Sequence, residues 1–143
     1  MIYTEATKKA MKLCYEAHKG QFDRDGIPYS FHPLHLAEQM DDENATVVAL
    51  LHDVVEDTNY TLEDLKDMGF SKEVLDAIVL LTHDKAIPYE DYVLNIKSNP
   101  IARKVKLADL RHNSDLTRLS KVTKKDLKRN EKYKKAIQIL ECD

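Results

Sequence analysis

Apolar residues recur along most of the chain at the three- to four-residue spacing of amphipathic helices. Near the amino terminus, one such face carries Ala10, Leu13, Cys14 and Ala17. Gly20 then supplies a natural stop, so the pattern predicts a first helix over about residues 4–19. A last helix is predicted from about Thr123, and its apolar face carries Tyr133, Ala136, Ile137 and Leu140.

Capping residues and prolines divide the rest of the chain into further helices. Their predicted bounds are about residues 33–40, 44–56, 61–68, 71–83, 88–98 and 100–120. Residues 20–33 have no period and contain Gly26, Pro28 and Pro33, which predicts the longest loop of the protein. No segment alternates as a strand would, so we expect an all-α bundle of about seven or eight helices.

Composition favours one helical domain. A chain of 143 residues has an ordinary size for a single domain, which we place at residues 1–143. Apolar residues make up 43% of it and charged residues 33%, as in soluble globular proteins, and the three glycines argue against a turn-rich β architecture. Cys14 and Cys142 lie near opposite ends without a CxxC pair, so a reducing cytoplasm is the expected location.

The charge pattern argues against a general attraction to nucleic acid or membranes. The net charge is −3, and no apolar run approaches the roughly 20 residues that span a bilayer. Residues 121–135 hold eight basic residues against two acids, but without interleaved stacking aromatics we interpret them as a solvated helix face. Neither nucleic acid nor a membrane is an expected partner, and the sequence sets no oligomeric state.

The segment LHDVVEDT at residues 51–58 gathers one imidazole and three carboxylates around two valines. On a helical wheel one arc holds the polar members, which are His52, Asp53, Glu56 and Asp57. An ordinary charged face would mix lysine among the acids, and this one does not. The pattern indicates either a site for a cation or the solvated face of an amphipathic helix.

Two further segments offer ligands of the same kind. Asp109 falls on a largely apolar face of its predicted helix, where a carboxylate is costly unless it is paired or bound to a metal. Lys106, one turn earlier, offers the pairing alternative. His32 precedes a proline, which predicts extended backbone at His32 and a fixed direction for its ring. With His52 and Asp53, the set supplies two imidazole nitrogens and two carboxylate oxygens, which suits a divalent transition ion with open positions.

Taken in order, the segments HP, HDVVEDT and KLADLRHN resemble the pattern of the HD-domain phosphohydrolases, whose metal ligands are His, then His-Asp, then Asp. Within that superfamily, AHKGQ, PYSFHP, LLHDVVEDT and VKLAD..HN are most similar to the hydrolase domain of the Rel/Spo alarmone enzymes and to the stand-alone small alarmone hydrolases. The similarity covers about residues 17–119, in the family's order.

The resemblance implies a single all-α HD-type domain with one metal ion, usually manganese. The implied metal ligands are His32, His52, Asp53 and Asp109. Glu56 and Asp57 are implied to orient or deprotonate the attacking water. The implied reaction, part of the stringent response, removes the 3′-pyrophosphate of a small nucleotide, guanosine tetra- or pentaphosphate. Because 143 residues leave no room for the synthetase domain of the long Rel/Spo proteins, we expect degradation alone.

The resemblance also carries expectations for the nucleotide contacts. Asn113 matches the family's nucleotide-contacting asparagine, and Lys85 lies in a segment similar to its Thr-x-Asp-Lys loop, where it is expected near phosphate. Arg24 is the remaining member of the family's basic pair, because Asp23 stands at the first position. Leu116 stands where the family has threonine. These departures predict an altered nucleotide pocket beside an intact metal centre.

Other functions stay open at this point. One alternative is an HD phosphohydrolase acting on a nucleoside monophosphate, a dinucleotide phosphate or another nucleotide, which Asp23 favours. A second is a non-catalytic nucleotide-binding module, against which Glu56 and Asp57 argue, and a third is a helical interaction protein with surface acids. Outside the predicted site we place His18, His35, His112 and the second His-Asp pair, His83-Asp84.

Overall fold

The computed structural model describes residues 1–142 and is built from helices joined by loops, of which residues 18–30 form the longest within that range. The helices are α1 (Glu5–Ala17), α2 (Phe31–Glu38), α3 (Glu43–Leu51), α4 (Val54–Asp57), α5 (Leu62–Asp67), α6 (Lys72–Leu81), α7 (Tyr89–Lys97), α8 (Pro100–Asn113) and α9 (Lys124–Glu141), with a 3-10 helix at Leu116–Arg118. Within these residues the only extended pairing is an isolated bridge between Phe22 and Pro28. The predicted all-α class is confirmed. None of the helices described here has both the length and the apolar character needed to cross a lipid bilayer.

Side-chain caps fix where several helices begin. Thr61, Ser71 and Thr123, predicted as helix starts, each accept a hydrogen bond from the backbone N–H three residues later. Asp126 accepts from the N–H of Thr123 in return, which completes a capping box at the start of α9. The amino end of α9 is thus fixed, and Asp126 becomes a rigid partner for other parts of the chain.

Helix α3 lies at the centre of the fold. It packs against α1, α2, α6 and α8, and its residues from Ala45 to Leu51 are all buried. The sequence pattern predicts that only one side of this helix is apolar and buried. In the structure, α3 is enclosed on every side up to the polar residues that begin at His52. Because its neighbours surround it, the carboxyl end of α3 is held firmly where His52 begins.

The helix predicted over residues 44–56 is in fact two helices, α3 and α4, separated at His52 and Asp53. Asp53 adopts φ −103° and ψ −2°, in the bridge region between helix and strand. Nδ1 of His52 donates to the carbonyl oxygen of Ala49 at 2.7 Å, and so takes the acceptor that a continuous helix would use for the Asp53 amide. The expectation of one helix is therefore wrong, and the side chain of His52 accounts for the break.

Two other boundaries differ from the predicted ones. The sequence predicts extended backbone at His32, but His32 lies in the first turn of α2, which begins before the proline. Pro33 is tolerated there because N–H groups in the first turn of a helix have no partner within the helix. The N–H that proline lacks therefore costs no hydrogen bond. Helix α8 ends at Asn113 instead of continuing to residue 120, and Asp115 then caps the separate 3-10 helix.

Leu51, the last residue of α3, is fully buried directly before His52. Replacing Leu51 with alanine should lower the free energy of unfolding by about 2–5 kcal/mol, because a cavity adds to the lost transfer free energy. Leu127→Ala is the matched control, since Leu127 is 52% exposed on α9 and its loss should cost about 0.5 kcal/mol or less. Urea-induced unfolding measures both values, and equal midpoints would contradict the central place of α3.

Candidate metal centre

The four predicted metal ligands come together from three parts of the fold. His32 enters from the first turn of α2 and Asp109 from α8, while His52 and Asp53 form the junction of α3 and α4. Nε2 of His32 lies 2.8 Å from Oδ1 of Asp109. Nε2 of His52 lies 3.1 Å from Oδ2 of Asp53 and 3.5 Å from Oδ1 of Asp109. Two imidazole nitrogens and two carboxylates therefore meet in one small volume.

The ionisable residues around this volume form two adjoining clusters. One consists of His32, His52 and Asp109, which are buried, and the other of Asp53, Glu56 and Asp57, which are more exposed. Within each cluster the candidate ligand atoms all lie within 4.8 Å of one another. A buried imidazole and carboxylate set thus adjoins carboxylates that face solvent, an arrangement that can hold a metal and admit water.

His52 tests whether a cation fits between these groups. Its Nδ1 donates to the carbonyl oxygen of Ala49, so in the neutral ring Nε2 carries the lone pair. Nε2 is buried and, within residues 1–142, has no hydrogen-bond partner. The lone pair faces oxygens of Asp53 and Asp109, which are acceptors as well. A buried acceptor among acceptors needs a proton or a metal ion, and the mixed nitrogen and oxygen set suits a divalent ion.

The charges around His52 also favour a cation. Burial lowers the pKa of His52, but the carboxylates of Asp53 and Asp109 together outweigh this effect and hold that pKa well above its usual range. Burial likewise raises the pKa of Asp53, but His52 opposes this and the pKa of Asp53 falls to about 2. Asp53 is therefore ionised at neutral pH, and positive charge at Nε2 of His52 is stabilised. A metal ion bound there would replace that proton.

Asp109 is buried and uses its two oxygens differently. Oδ2 accepts from Nζ of Lys106 at 2.9 Å, which is the pairing that the sequence offers as an alternative to a metal. Oδ1 faces the two histidines and accepts from Nδ2 of Asn113 at 3.1 Å. Burial alone would raise the pKa of Asp109, but the ammonium of Lys106, together with His32 and His52, holds it well below its usual range. These partners keep Asp109 ionised, and Lys106 occupies Oδ2 while Oδ1 faces the histidines, so pairing and metal binding are compatible.

Tyr29 adjoins the other carboxylate of the centre, Asp53. Its hydroxyl donates to Oδ2 of Asp53, and its ring centroid lies 4.9 Å from that of His18 and 5.7 Å from that of His32. Burial, and then the charge of Asp53, raise the pKa of Tyr29, so the hydroxyl stays protonated and donates. Tyr29 was not among the predicted site residues, although its place in PYSFHP, three residues before His32, was a usable signal.

Glu56 is held by the loop between α6 and α7. Its Oε1 accepts from the backbone N–H of His83 at 2.7 Å. Nε2 of His83 lies 2.9 Å from the carbonyl oxygen of Ile87, and the His83 ring stacks on Tyr92 with centroids 4.4 Å apart. His83 and Asp84 thus lie outside both clusters, yet the backbone of His83 reaches the site. The bond uses one oxygen of Glu56, and the carboxylate keeps a second oxygen, Oε2, that can accept a proton.

Asp57 lies in the more exposed cluster beside two other carboxylates. Burial, and then the charges of Asp53 and Glu56, raise the pKa of Asp57 to about 6. Its backbone carbonyl accepts from Nε2 of Gln21 at 3.0 Å, which joins α4 to the loop that follows α1. A carboxyl group that titrates near neutral pH in a partly open site can hold or release a proton during a reaction.

A cavity of about 290 Å³ borders His32 and contains two of the predicted substrate contacts, Arg24 and Asn113. Both terminal nitrogens of Arg24 lie 3.0 Å from carboxylate oxygens of Asp126, which is buried at the start of α9. In the same loop, Asp25 accepts from the N–H of Ser120 at 3.2 Å. The loop is thus fastened to the carboxyl-terminal part of the chain at two points. Arg24 offers a nucleotide only the N–H groups that Asp126 leaves free.

Asp23 and Lys85, two further positions that the resemblance singles out, lie in different loops. Asp23, at a position where a basic residue is expected, accepts through Oδ1 from the N–H groups of Asp25 and Ile27 at 2.9 and 3.0 Å. This turn gives aspartate a local structural role, because its side chain satisfies the backbone of the loop. Lys85 is exposed between α6 and α7 and is not among the described residues that line the 290 Å³ cavity.

A second cleft, of about 610 Å³, shares Tyr29 and His32 with that cavity. His35 and His112 line it, with ring centroids 4.2 Å apart. Burial above all lowers the pKa of His112 to about 4. The sequence placed His112 outside the site, but its Nδ1 lies 2.7 Å from Nδ1 of His32. Its position directly before Asn113, within the matched motif, was the available signal.

Known proteins similar to this chain include two that are named as pyrophosphohydrolases. The chain is 38% identical over 115 residues to the guanosine-3′,5′-bis(diphosphate) 3′-pyrophosphohydrolase of Haemophilus influenzae, covering 71% of this chain and 17% of that protein. It is 35% identical over 118 residues to the corresponding pyrophosphohydrolase MESH1 of Xenopus tropicalis, covering 73% of this chain and 65% of that protein. No protein-family model matches the chain.

A solved structure supports the fold independently. It is described as a metazoan orthologue of SpoT that hydrolyses ppGpp, and it superposes with a TM-score of 0.79 at 24% identity, covering 98% of this chain and 88% of that one. The long curated relatives are much larger, since the chain spans only 15–17% of the length of three of them. The similarity therefore concerns a domain-sized part of the long proteins and most of the short ones.

Proposed function

Because this chain is a homologue of the Rel/Spo pyrophosphohydrolases and of the small alarmone hydrolases, we propose that it removes the 3′-pyrophosphate of guanosine tetra- or pentaphosphate. The products are guanosine di- or triphosphate and pyrophosphate. The observation that carries the proposal is the convergence of His32, His52, Asp53 and Asp109 beside Glu56 and Asp57. A helical interaction protein has no use for a buried cation position of this kind.

His32, His52, Asp53 and Asp109 would hold one divalent ion, which we take to be manganese. The unpartnered Nε2 of His52 and the acceptor oxygens around it support this assignment. When bound, such an ion lowers the pKa of water and offsets negative charge on a phosphoryl oxygen. The equal share of carboxylate ligands favours manganese over zinc, which is more often bound by imidazole and thiolate.

Glu56 is the proposed base. The N–H of His83 fixes its Oε1, and Oε2 takes the proton from the water that attacks phosphorus. The oxygen of that water forms the new bond to phosphorus while the bond from phosphorus to the 3′ oxygen breaks. The 3′ oxygen takes a proton from solvent and leaves as a hydroxyl, and Glu56 returns its own proton to solvent. Asp57, one position further along α4 and in the same cluster of carboxylates, orients the water.

The 290 Å³ cavity is the proposed nucleoside subsite. Asn113 and the ring of Tyr133 line it, and so do Arg118 and Arg129, whose guanidinium groups suit the 5′-phosphates. Arg24 contributes through the N–H groups that remain beside Asp126. We assign Lys85 to the departing pyrophosphate, because it is exposed on the loop whose backbone contacts Glu56.

Product analysis tests the proposal directly. Metal-stripped and manganese-loaded protein are incubated with guanosine tetraphosphate, and the products are separated by ion-exchange chromatography. We expect guanosine diphosphate and pyrophosphate with manganese, and unchanged substrate without it. Nucleotide binding without turnover under manganese would contradict hydrolysis and favour a binding module. Failure to bind stoichiometric metal would favour an interaction protein.

Hydrolysis of another nucleotide is the second candidate, and Asp23 favours it. This carboxylate borders the proposed nucleoside cavity at a position where a guanidinium could stack on a base. Nucleoside monophosphates and dinucleotide phosphates belong in the same assay, since a monophosphate would yield orthophosphate instead of pyrophosphate. Turnover of one of these compounds alone would keep the metal centre and change the substrate.

A further inference from the structure

His112 lies beside the proposed metal centre without being one of its ligands. Its Nδ1 is 2.7 Å from Nδ1 of His32, the two ring planes differ by 6°, and the centroids are 4.9 Å apart. A nitrogen-to-nitrogen distance of this size is too short for stacked faces and describes an N–H···N hydrogen bond between nearly parallel rings. The opposite edge of the His32 ring then presents Nε2 to Oδ1 of Asp109, at 2.8 Å.

We propose that His112 is a positioning residue that fixes the ring and the tautomer of His32 for metal binding. The inference rests on the proposed function, because the ion concerned is the one proposed above. A histidine that binds a metal through one nitrogen normally donates from the other nitrogen to a fixed acceptor. His52 follows this rule by donating to the carbonyl oxygen of Ala49. For His32, the corresponding partner is a second imidazole.

An imidazole partner can serve His32 in both of its states, which a carbonyl cannot do. Without an ion, Nε2 of His32 donates to Asp109, so Nδ1 of His32 accepts and Nδ1 of His112 donates. With an ion at Nε2, Nδ1 of His32 carries the proton and donates, and His112 accepts at Nδ1 while its own proton sits on Nε2. Each ring carries one proton in both states. No buried nitrogen of His32 is left without a partner.

The surroundings hold His112 independently of this bond. The ring of His35 packs against it at 34°, with centroids 4.2 Å apart. Nη1 of Arg118 donates to the carbonyl oxygen of His112 at 2.9 Å. His32 is only 5% exposed, so solvent cannot easily replace the partner that its Nδ1 would lose. These contacts make His112 a fixed point against which the His32 ring is set.

Manganese affinity of the full chain tests the inference, measured from the electron paramagnetic resonance signal of free Mn²⁺ during titration of metal-stripped protein. His112→Leu removes the hydrogen-bonding nitrogen and should weaken binding by about 10- to 100-fold. His112→Asn places a carbonyl oxygen on Cγ where Nδ1 was, and should recover most of the affinity. Ile27→Ala changes the lining of the same cleft at a side chain that is 48% exposed, without removing a partner of His32, and should bind like the unmodified protein.

The outcomes separate this inference from the proposed function. Equal affinity in the unmodified protein and His112→Leu would overturn the positioning role, and so would a loss that Ile27→Ala reproduces or that His112→Asn fails to recover. If His112→Leu does not fold, His112→Ala, which also lacks the nitrogen, decides the comparison. Manganese binding with no hydrolysis of guanosine tetraphosphate would overturn the proposed function alone. Failure of the unmodified protein to bind manganese would overturn both.

Discussion

Replacing Asp53 with alanine should abolish both metal retention and nucleotide turnover. The substitution removes the oxygen that lies 3.1 Å from Nε2 of His52, and it leaves the hydroxyl of Tyr29 without its acceptor. Because Asp53 is a proposed direct ligand, its loss should exceed the roughly 10- to 100-fold effect of losing an outer partner. We expect gel-filtered Asp53→Ala protein to contain no manganese by elemental analysis and to show only background hydrolysis.

Two further variants distinguish the charge of Asp53 from its contribution to the fold. Asp53→Asn keeps the size of the side chain and an acceptor for Tyr29, so it should fold normally and still lose the ion. Asp41→Ala removes an exposed carboxylate that pairs with Lys104, and should leave metal content and turnover unchanged. Turnover by Asp53→Ala protein that holds no metal would refute the proposed mechanism.

Replacing Glu56 with glutamine should lower kcat by about 10²- to 10⁴-fold with little change in manganese affinity. The glutamine carbonyl can still accept from the N–H of His83, so the side chain stays in place while its ability to take a proton is lost. Steady-state kinetics at saturating manganese measure kcat, and the titration used for His112 measures the affinity. This pattern differs from that of Asp53→Ala, in which the ion itself is lost.

Glu63→Gln is the matched control for this experiment. Glu63 is an exposed acid in the first turn of α5, so the same chemical change is made away from both clusters and should leave kcat unaltered. An unchanged kcat in Glu56→Gln would remove Glu56 from the chemistry. Loss of manganese from Glu56→Gln would instead make Glu56 a ligand.

Helix starts were predictable because the groups that form them are close in sequence. Thr61, Ser71 and Thr123 each bond to an N–H three residues away, and a short window of sequence contains both partners. The break between α3 and α4 was not predictable in this way. It depends on a bond from the His52 ring to the Ala49 carbonyl, while the apolar periodicity runs on unchanged.

The same distinction applies to the candidate site. The proposed ligands could be named in advance because each one lies in a short motif, and these motifs follow one another in the same order as in the family that the chain resembles. Their roles as ligands stay predictions. Lys106 was foreseeable beside Asp109, since one helical turn separates them. The bonds from Arg24 to Asp126 and between His32 and His112 join residues 102 and 80 positions apart, and periodicity contains no information about such pairs.

The distance along the chain between the groups of the metal centre links metal supply to folding. His32 and Asp109 are 77 residues apart, so the unfolded chain does not bring them together and an ion would bind almost only to the native state. The free energy of that binding is added to the stability of the whole fold, and any loss of stability reduces the fraction of chains able to bind. Shortage of the metal in a cell would then act on this protein as a destabilising mutation does, by lowering its folded population.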